Sequence, residues 1–124
     1  MNSKRILIVD DEGDLRRTLK ETFEYFGWQA DEAEDGKMAY DKIREQNYDL
    51  VLSDIKMPHV DGIQFLKMLD AQFKSKVPIY MISAYSDVNE SYIIALGAKK
   101  IFPKPISLYD LIRELDPESG RFAS

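Results

Sequence analysis

Apolar and polar residues alternate along the chain in short blocks that are typical of alternating strands and helices. Continuous apolar runs, of the length expected for strands buried on both faces, recur at 6–9, 50–52, 79–82 and 101–102. A mixed stretch at 28–33 predicts another strand, placed at a sheet edge because polar residues interrupt it. After the first run, apolar residues recur at steps of three and four and predict one face of a helix: Leu15, Leu19, Phe23 and Phe26.

Further helices are predicted after each of the later strands. They run from 38 to 45, from 66 to 73 behind an Asp-Gly turn, from about 87 to 96, and from 108 to 115. Gly97 is the expected C-cap of the third of these. Ser107 caps the last helix, and Pro117 stops it.

Repeated β-α units indicate an α/β fold, a doubly wound five-stranded parallel sheet with helices on both faces. Lys99 and Lys100 begin the fifth strand and protect the second edge of the sheet. The first, third and fourth strands, whose apolar runs contain no charged residue, then lie inside the sheet. The sheet order that satisfies these constraints with right-handed crossovers is 2-1-3-4-5.

The composition narrows the class of protein. With 124 residues, 44% of them hydrophobic, the chain suits one domain, which we expect at 1–116, with 117–124 as a flexible tail or the start of a linker. No apolar run approaches the roughly 20 residues that span a bilayer, and cysteine is absent, so we expect a cytoplasmic protein with no membrane partner. The net charge of −5 argues against direct nucleic-acid binding. The start at Met1 favours a stand-alone or N-terminal domain.

Polar side chains follow the first, third, fourth and fifth predicted strands where each strand ends. Because parallel strands end at a common edge, these side chains are expected to converge where the strand order reverses. They are Asp10, Asp11, Asp54, Ser83 and Lys104. Two like charges about 4 Å apart repel by about 4 kcal/mol at an effective dielectric constant near 20, so three carboxylates need a cation. Lys104 supplies one charge, and Mg²⁺, a hard ion that prefers carboxylates, fits the rest.

Four motifs resemble the receiver domain of bacterial two-component response regulators, which includes the CheY-like proteins. They are "ILIVDDE", "DLVLSDIKMPHVDG", "PIYMISAY" and "GAKKIFPKP", and the resemblance runs from about residue 4 to 115. It implies the flavodoxin-like fold already predicted. It also implies a phosphorelay function, in which a phosphoryl group is accepted from a partner protein and the conformation then changes to alter partner binding.

The resemblance implies a role for each matching position. Asp54 is the expected phosphoryl acceptor and Asp11 a direct ligand of Mg²⁺ (or Mn²⁺), with Asp10 acting through a coordinated water and the Lys56 carbonyl completing the protein ligands. Lys104 is expected to pair with a phosphoryl oxygen. The peptide bond between Lys104 and Pro105 is expected to be cis. The Ser83 hydroxyl is expected to bind another phosphoryl oxygen and to take part in the conformational switch.

One position departs from the family pattern. The family usually has an aromatic residue three positions before the lysine, and here that residue is Ile101. Phe102 cannot replace it, because neighbouring strand residues point to opposite faces of the sheet. Either the fourth predicted helix shifts through another contact, with Tyr85 a candidate, or the output is weakly coupled. Lys56 and Tyr85 either control the access of water to the phosphoryl group or only pack at the surface.

Three other functions are weighed against this one. A flavodoxin-like electron carrier needs a phosphate-binding first loop, and "DDEGD" would repel a phosphate. An aspartate-nucleophile phosphatase would have a second carboxylate two residues after Asp54, where Lys56 stands. A receiver that binds partners without being phosphorylated stays open as the alternative. In the receiver reading the domain is not an enzyme for an outside substrate; it assists only its own phosphorylation and dephosphorylation.

The expected partners follow from the family resemblance. The phosphodonor is a sensor histidine kinase or a histidine phosphotransfer protein, and the downstream target is unknown. A homodimer is possible through the face formed by the fourth predicted helix, the fifth strand and the fifth predicted helix. Arg16 and Arg17 are expected on a solvated stripe of the first helix or against a partner, and His59 is expected at the surface.

Overall fold

The computed structural model describes residues 4–84 and 89–119. Its strands are β1 (Arg5–Val9), β2 (Gln29–Ala33), β3 (Leu50–Asp54), β4 (Ile79–Ser83) and β5 (Lys100–Pro103). Its helices are α1 (Gly13–Tyr25), α2 (Gly36–Glu45), α3 (Gly62–Met68), α4 (Ala71–Lys76), α5 (Glu90–Ala95) and α6 (Leu108–Leu115), followed by a 3₁₀ turn at Pro117–Ser119. Among the described helices, none is long and apolar enough to cross a membrane.

The five strands form one parallel sheet in the order β2-β1-β3-β4-β5, which confirms the predicted order. All of β3 is buried, as is β1 after its first residue, because both strands are covered on both faces. The edge strands β2 and β5 carry the exposed or half-buried polar residues. The sheet order reverses between β1 and β3, so the site predicted from the sequence lies at this switch point.

Alternate residues of the strands supply two separate cores, one on each face of the sheet. In β1, Leu7 and Val9 pack toward α2, α3 and α5, whereas Ile6 and Ile8 pack toward α1 and α6. Ile101 lies on the first face and Phe102 on the second, where its ring centroid is 5.9 Å from that of Tyr80. The prediction that Phe102 cannot occupy the place of an aromatic residue at 101 is therefore confirmed.

The prediction of one helix from 66 to 73 is wrong. The chain leaves helical geometry at Leu69, with φ −81° and ψ 136°, and restarts at α4. Asp70 causes the restart, since its side chain accepts a hydrogen bond from the Phe73 amide as an N-cap. The helix predicted from about 87 to 96 is α5, which begins at Glu90, and the predicted residues 87 and 88 lie outside the described residues. Because of the extra helix, the face predicted for dimers corresponds to α5, β5 and α6.

Candidate functional site

Five side chains from four strand ends lie at the carboxyl edge of the sheet. Asp54 and Ser83 are the last residues of β3 and β4, and the other members directly follow β1 and β5: Asp10, Asp11 and Lys104. We call these five residues the edge cluster. The side chains of Asp10, Asp54 and Ser83 are buried, whereas Asp11 is exposed. The cluster therefore has a buried floor and a rim that is open to solvent.

Lys104 is the cation of this cluster. Its Nζ donates a 3.0 Å hydrogen bond to Asp54 Oδ2 and lies 3.9 Å from both Asp10 Oδ2 and Glu12 Oε1. Although burial lowers the pKa of Lys104, the hydrogen bond to Asp54 and the charges of Asp10 and Glu12 outweigh it and raise the pKa above its usual value. The ammonium group therefore stays protonated throughout the physiological range.

The backbone around Lys104 fixes where its side chain starts. The Lys104-Pro105 peptide bond is cis, as the family resemblance implied. The Lys104 amide donates a 2.8 Å hydrogen bond to the carbonyl of Ser83, which ties the end of β5 to the end of β4. Lys104 thus reaches from β5 across β4 to Asp54 at the end of β3.

Asp10 is a fully buried carboxyl group with one unused oxygen. Its Oδ1 accepts a 2.8 Å hydrogen bond from the Glu12 amide, whereas Oδ2 is buried with no hydrogen-bond partner among the described residues. Burial, with repulsion from Asp54 and Asp11, raises the pKa of Asp10 to about 6, against the lowering effect of the Glu12 amide and Lys104. In the metal-free protein the ionised form of Asp10 is thus penalised.

The three carboxylates are spaced to share one metal ion. Asp10, Asp11 and Asp54 each offer an oxygen, and these three oxygens lie within 4.8 Å of one another. The Oδ2 of Asp10, buried with no hydrogen-bond partner among the described residues, is a second, independent observation that this oxygen is available as a metal ligand. An all-oxygen donor set next to open solvent suits Mg²⁺, which keeps several waters and takes few protein ligands. The residues present therefore fit a bound Mg²⁺ ion.

The turn after β3 packs closely against α3, which holds the Asp54 backbone. The Gly62 amide donates a 2.7 Å hydrogen bond to the Ile55 carbonyl. A Cβ atom at Gly62 would lie 2.5 Å from the Asp54 carbonyl oxygen, so a side chain does not fit there. The Ser53 hydroxyl donates a 2.9 Å hydrogen bond to that same carbonyl. The sequence interpretation gave Gly62 only a turn-setting role and missed this contact.

The remaining predicted residues lie around the cluster. Lys56 is exposed two positions beyond Asp54, and the metal-binding role of its carbonyl stays a prediction. His59 is exposed, as predicted, and its backbone has a positive φ of 65°. Ile101 is half-buried and pairs with Met81 in the sheet register. Tyr85 lies outside the described residues.

The prediction that Arg16 lies on a solvated stripe is wrong. Arg16 Nη1 donates a 2.7 Å hydrogen bond to the Asp10 carbonyl, and only 13% of its side chain is exposed. The clue in the sequence was Glu32 near the end of the second strand, a carboxylate that could pair with an arginine of α1. Arg17 does fit the prediction, since 63% of its side chain is exposed.

Comparison with known proteins identifies the family. The family profile of the response regulator receiver domain matches residues 6–116, nearly the whole chain. This chain belongs to that family. Receiver domains act in two-component phosphorelay signalling and are not a classical enzyme family, and phosphorylation and Mg²⁺ binding are typical of them.

Individual relatives show the same receiver domain in different settings. The response regulator GtcR of Aneurinibacillus migulanus is 32% identical over 96% of this chain and 49% of its own length. The sensor protein EvgS of Escherichia coli (strain K12) is 36% identical over 83% of this chain and 9% of its own length, so a similar domain forms a small part of a sensor protein. This chain spans about half the length of GtcR and a small part of EvgS.

A solved structure matches the fold of this receiver domain. The response regulator protein TrrA of Thermotoga maritima, in complex with Mg²⁺ and BeF, is 33% identical with a TM-score of 0.80. The match covers 92% of this chain and 97% of that one. The receiver fold thus extends over nearly all of the described residues.

Proposed function

We propose that this receiver domain accepts a phosphoryl group onto Asp54 from a phosphohistidine of a sensor histidine kinase or a histidine phosphotransfer protein. Mg²⁺ (or Mn²⁺) binds beside Asp54, and the phosphorylated domain changes its affinity for a downstream partner. The contact of Lys104 with Asp54, inside a cluster of three carboxylates, is the observation that supports this proposal best. The domain then acts as a phosphoprotein switch that assists only its own phosphorylation and dephosphorylation.

Asp54 supplies the nucleophile. One of its carboxylate oxygens bonds to phosphorus while the P–N bond of the donor breaks, and the electron pair of that bond goes to the imidazole nitrogen. The imidazole, protonated at its other nitrogen, leaves as a neutral group. Since phosphoryl transfer has a loose transition state, holding the groups in line and neutralising the oxygens supply most of the catalysis.

The neighbours of Asp54 supply the positive charge and the hydrogen bonds. Asp10, Asp11, Asp54 and the Lys56 carbonyl would hold the metal ion, which when bound offsets the charge of the carboxylates and of the phosphoryl oxygens. The Lys104 ammonium group moves from Asp54 Oδ2 to a phosphoryl oxygen. The Ser83 hydroxyl, at the end of the adjacent strand, donates to another.

The conformational response to phosphorylation depends on Ser83 and on the face of the sheet on which Ile101 lies. Movement of Ser83 toward the phosphoryl group shifts the end of β4, and Ile101 pairs with Met81 on that strand. Ile101 packs in the core layer that includes Ile93 of α5, so the shift reaches α5 through aliphatic packing. A coupling of about 1–3 kcal/mol would suffice for regulation without an aromatic residue at position 101.

The surface formed by α5, β5 and α6 is the proposed partner face. It exposes Tyr92 and Ile94 of α5 and Tyr109 of α6. Large exposed apolar side chains on neighbouring elements are typical of interaction sites. This face includes β5, the strand that carries Ile101. Either a downstream target or a second copy of the chain could bind there with an affinity that depends on phosphorylation.

The test is labelling with acetyl phosphate, with and without Mg²⁺, followed by mass mapping of the modified residue. We expect one phosphoryl group on Asp54, dependent on the metal ion and lost in Asp54→Asn. The control is Asp41→Asn, a partly exposed carboxylate of α2 paired with Lys37, which should label normally. Full labelling of Asp54→Asn would refute the assignment. A wild-type domain that takes no label would favour the alternative, a receiver that binds partners without phosphorylation.

A further inference from the structure

Arg16 of α1 contacts the edge cluster through the backbone of Asp10. Its Nη1 donates a 2.7 Å hydrogen bond to the Asp10 carbonyl, and its Nε donates a 2.9 Å hydrogen bond to Glu32 Oε1 of β2. Only 13% of the Arg16 side chain is exposed. The planar guanidinium group is therefore held by two acceptors in fixed directions, as its geometry favours.

The Asp10 carbonyl belongs to the peptide that joins two of the three cluster carboxylates. The Asp10 amide donates a 3.0 Å hydrogen bond to the carbonyl of Ala33 in β2. This bond fixes the peptide that precedes Asp10. The peptide between Asp10 and Asp11 is planar, so the direction of its carbonyl sets the position of the Asp11 Cα. The hydrogen bond from Arg16 thus determines where the exposed Asp11 side chain begins relative to the buried Asp10.

We propose that Arg16, anchored by Glu32, is a positioning residue for the divalent cation site. It touches neither the ion nor the phosphoryl group, but it orients the backbone that carries the Asp10 and Asp11 ligands. This inference rests on the proposed function, in which Asp10, Asp11 and Asp54 hold Mg²⁺. Residues that orient metal ligands typically change metal affinity about 10- to 100-fold when they are replaced.

Arg17, the next residue of the same helix, provides a matched control. Its side chain is 63% exposed, and its ion pair is with Asp14, whose side chain is fully exposed, at 3.4 Å. It carries the same charge as Arg16 but lies on the solvent face. A change at Arg17 therefore measures the effect of losing an arginine charge from α1 without touching the Asp10 carbonyl.

The sign of the effect separates positioning from simple charge. A positive guanidinium group near the site repels a divalent cation, so removing its charge alone would tighten metal binding. Loss of positioning weakens metal binding instead. A purely structural role would lower stability while leaving the affinity of the folded protein unchanged.

The experiment measures the dissociation constant of Mn²⁺ by electron paramagnetic resonance of the free ion, repeated with Mg²⁺ by calorimetry. The proteins are wild type, Arg16→Gln, Arg16→Lys and Arg17→Gln, at a temperature where circular dichroism shows each to be folded. We expect Arg16→Gln to raise the dissociation constant about tenfold and Arg17→Gln to change it less than about twofold. Arg16→Lys keeps the charge but cannot bridge both acceptors, so it should also weaken binding.

Each outcome decides one of the two claims. Unchanged or tighter binding in the folded Arg16 variants, beside a wild type that binds the metal, would overturn the positioning role and leave the proposed function standing. A wild type that binds neither Mn²⁺ nor Mg²⁺ would overturn the proposed function itself, and the positioning role with it. If Arg16→Gln does not fold, the charge-preserving Arg16→Lys carries the test, because a role through charge alone would leave its affinity at the wild-type value.

Discussion

Lys104 Nζ lies 3.0 Å from Asp54 Oδ2, although 50 residues separate the two in the chain. Their strands, β5 and β3, are not neighbours, because β4 lies between them. The lysine therefore spans the end of β4, where its amide donates a hydrogen bond to the Ser83 carbonyl, and brings the end of the fifth strand into contact with the third. Through its side chain and its amide, Lys104 links Asp54 to the ends of both β4 and β5.

Replacing Lys104 with methionine should nearly abolish labelling of Asp54 by acetyl phosphate. The methionine keeps most of the side-chain volume but removes the ammonium group that neutralises a phosphoryl oxygen. Removing one such donor typically costs a factor of about 10²–10³ in rate. The measurement is the initial rate of Mg²⁺-dependent labelling, followed by mass spectrometry of the intact protein.

Lys100→Met is the control for this substitution. Lys100 also belongs to β5, but it pairs with Glu114 at the surface, where both side chains are more than 40% exposed. Surface pairs of this kind contribute at most about 1 kcal/mol, so labelling should be unchanged. A Lys104→Met protein that labels as fast as Lys100→Met would show that Lys104 has no part in the transfer.

Asp10 should make the metal-free domain less stable as pH rises from about 4 to about 6. Its pKa is raised from 3.8 to about 6 in the folded protein by burial. Between these values the folded state binds a proton that the unfolded state has lost, so the free energy of unfolding falls with rising pH and levels off above about 6. Mg²⁺ should compete with that proton, so added Mg²⁺ should stabilise the domain more at pH 8 than at pH 5.

Asp10→Asn removes this penalty and checks the assignment. In urea unfolding without metal at pH 8, we expect it to raise the free energy of unfolding by roughly 3 kcal/mol and to remove the contribution of Asp10 to the pH dependence between 4 and 6. Asp14→Asn, at a fully exposed side chain near the start of α1, should change neither quantity. A metal-free Asp10→Asn protein that is no more stable than wild type would contradict a raised pKa at Asp10.

The sequence sufficed for the sheet and for most of the edge cluster because both follow from simple constraints. Strands buried on both faces must be apolar throughout, which marks β1, β3 and β4. Parallel strands share a carboxyl edge, so the residues after them must meet there, whatever their separation in the chain. The contact between Lys104 and Asp54 could thus be foreseen without coordinates.

Contacts that depend on side-chain conformation could not be foreseen in the same way. Arg16 and Arg17 are adjacent and chemically identical, yet helical geometry turns one toward β2 and the other to solvent. The break between α3 and α4 was missed because the apolar spacing of Leu66, Leu69 and Phe73 continues across it. There the local hydrogen bond of the Asp70 cap outweighs the helical period.

Gly62→Ala should destabilise the domain and slow the labelling of Asp54. The new Cβ atom would lie 2.5 Å from the Asp54 carbonyl oxygen and 2.8 Å from the Ile55 Cα. Both are backbone atoms, so the acceptor turn itself must move, at a cost of about 1–3 kcal/mol. Urea unfolding and the rate of acetyl phosphate labelling measure the two effects.

Gly13→Ala serves as the comparison for this glycine. A Cβ atom at Gly13 meets only Arg16 Nη2, at 3.8 Å, which is ordinary contact distance. Alanine is also the better helix former, so stability should be equal or higher. If Gly62→Ala matched Gly13→Ala in both stability and labelling, the close approach of α3 to the acceptor turn would have no role in holding Asp54.

Asp116 should mark the end of the folded domain, as predicted from the sequence. Its Oδ2 accepts a 2.8 Å hydrogen bond from Trp28 Nε1, and both side chains are buried, at 6% and 7% exposure. Asp116→Ala leaves the indole N–H buried without an acceptor, which should lower the free energy of unfolding by about 1–3 kcal/mol. Asp116→Asn keeps an oxygen acceptor and should lose less.

Trp28 is the one tryptophan of the chain, so its fluorescence reports this contact directly. Its ring packs edge-on against Phe23, with 5.4 Å between centroids, and Asp116→Ala should change the emission maximum of the folded protein because the indole loses a charged partner. Glu118→Ala, an exposed carboxylate in the following 3₁₀ turn, should alter neither emission nor stability. A loss of stability at Glu118 equal to that at Asp116 would instead extend the folded domain beyond residue 116, since it would show that the 3₁₀ turn contributes to the same cooperative unit.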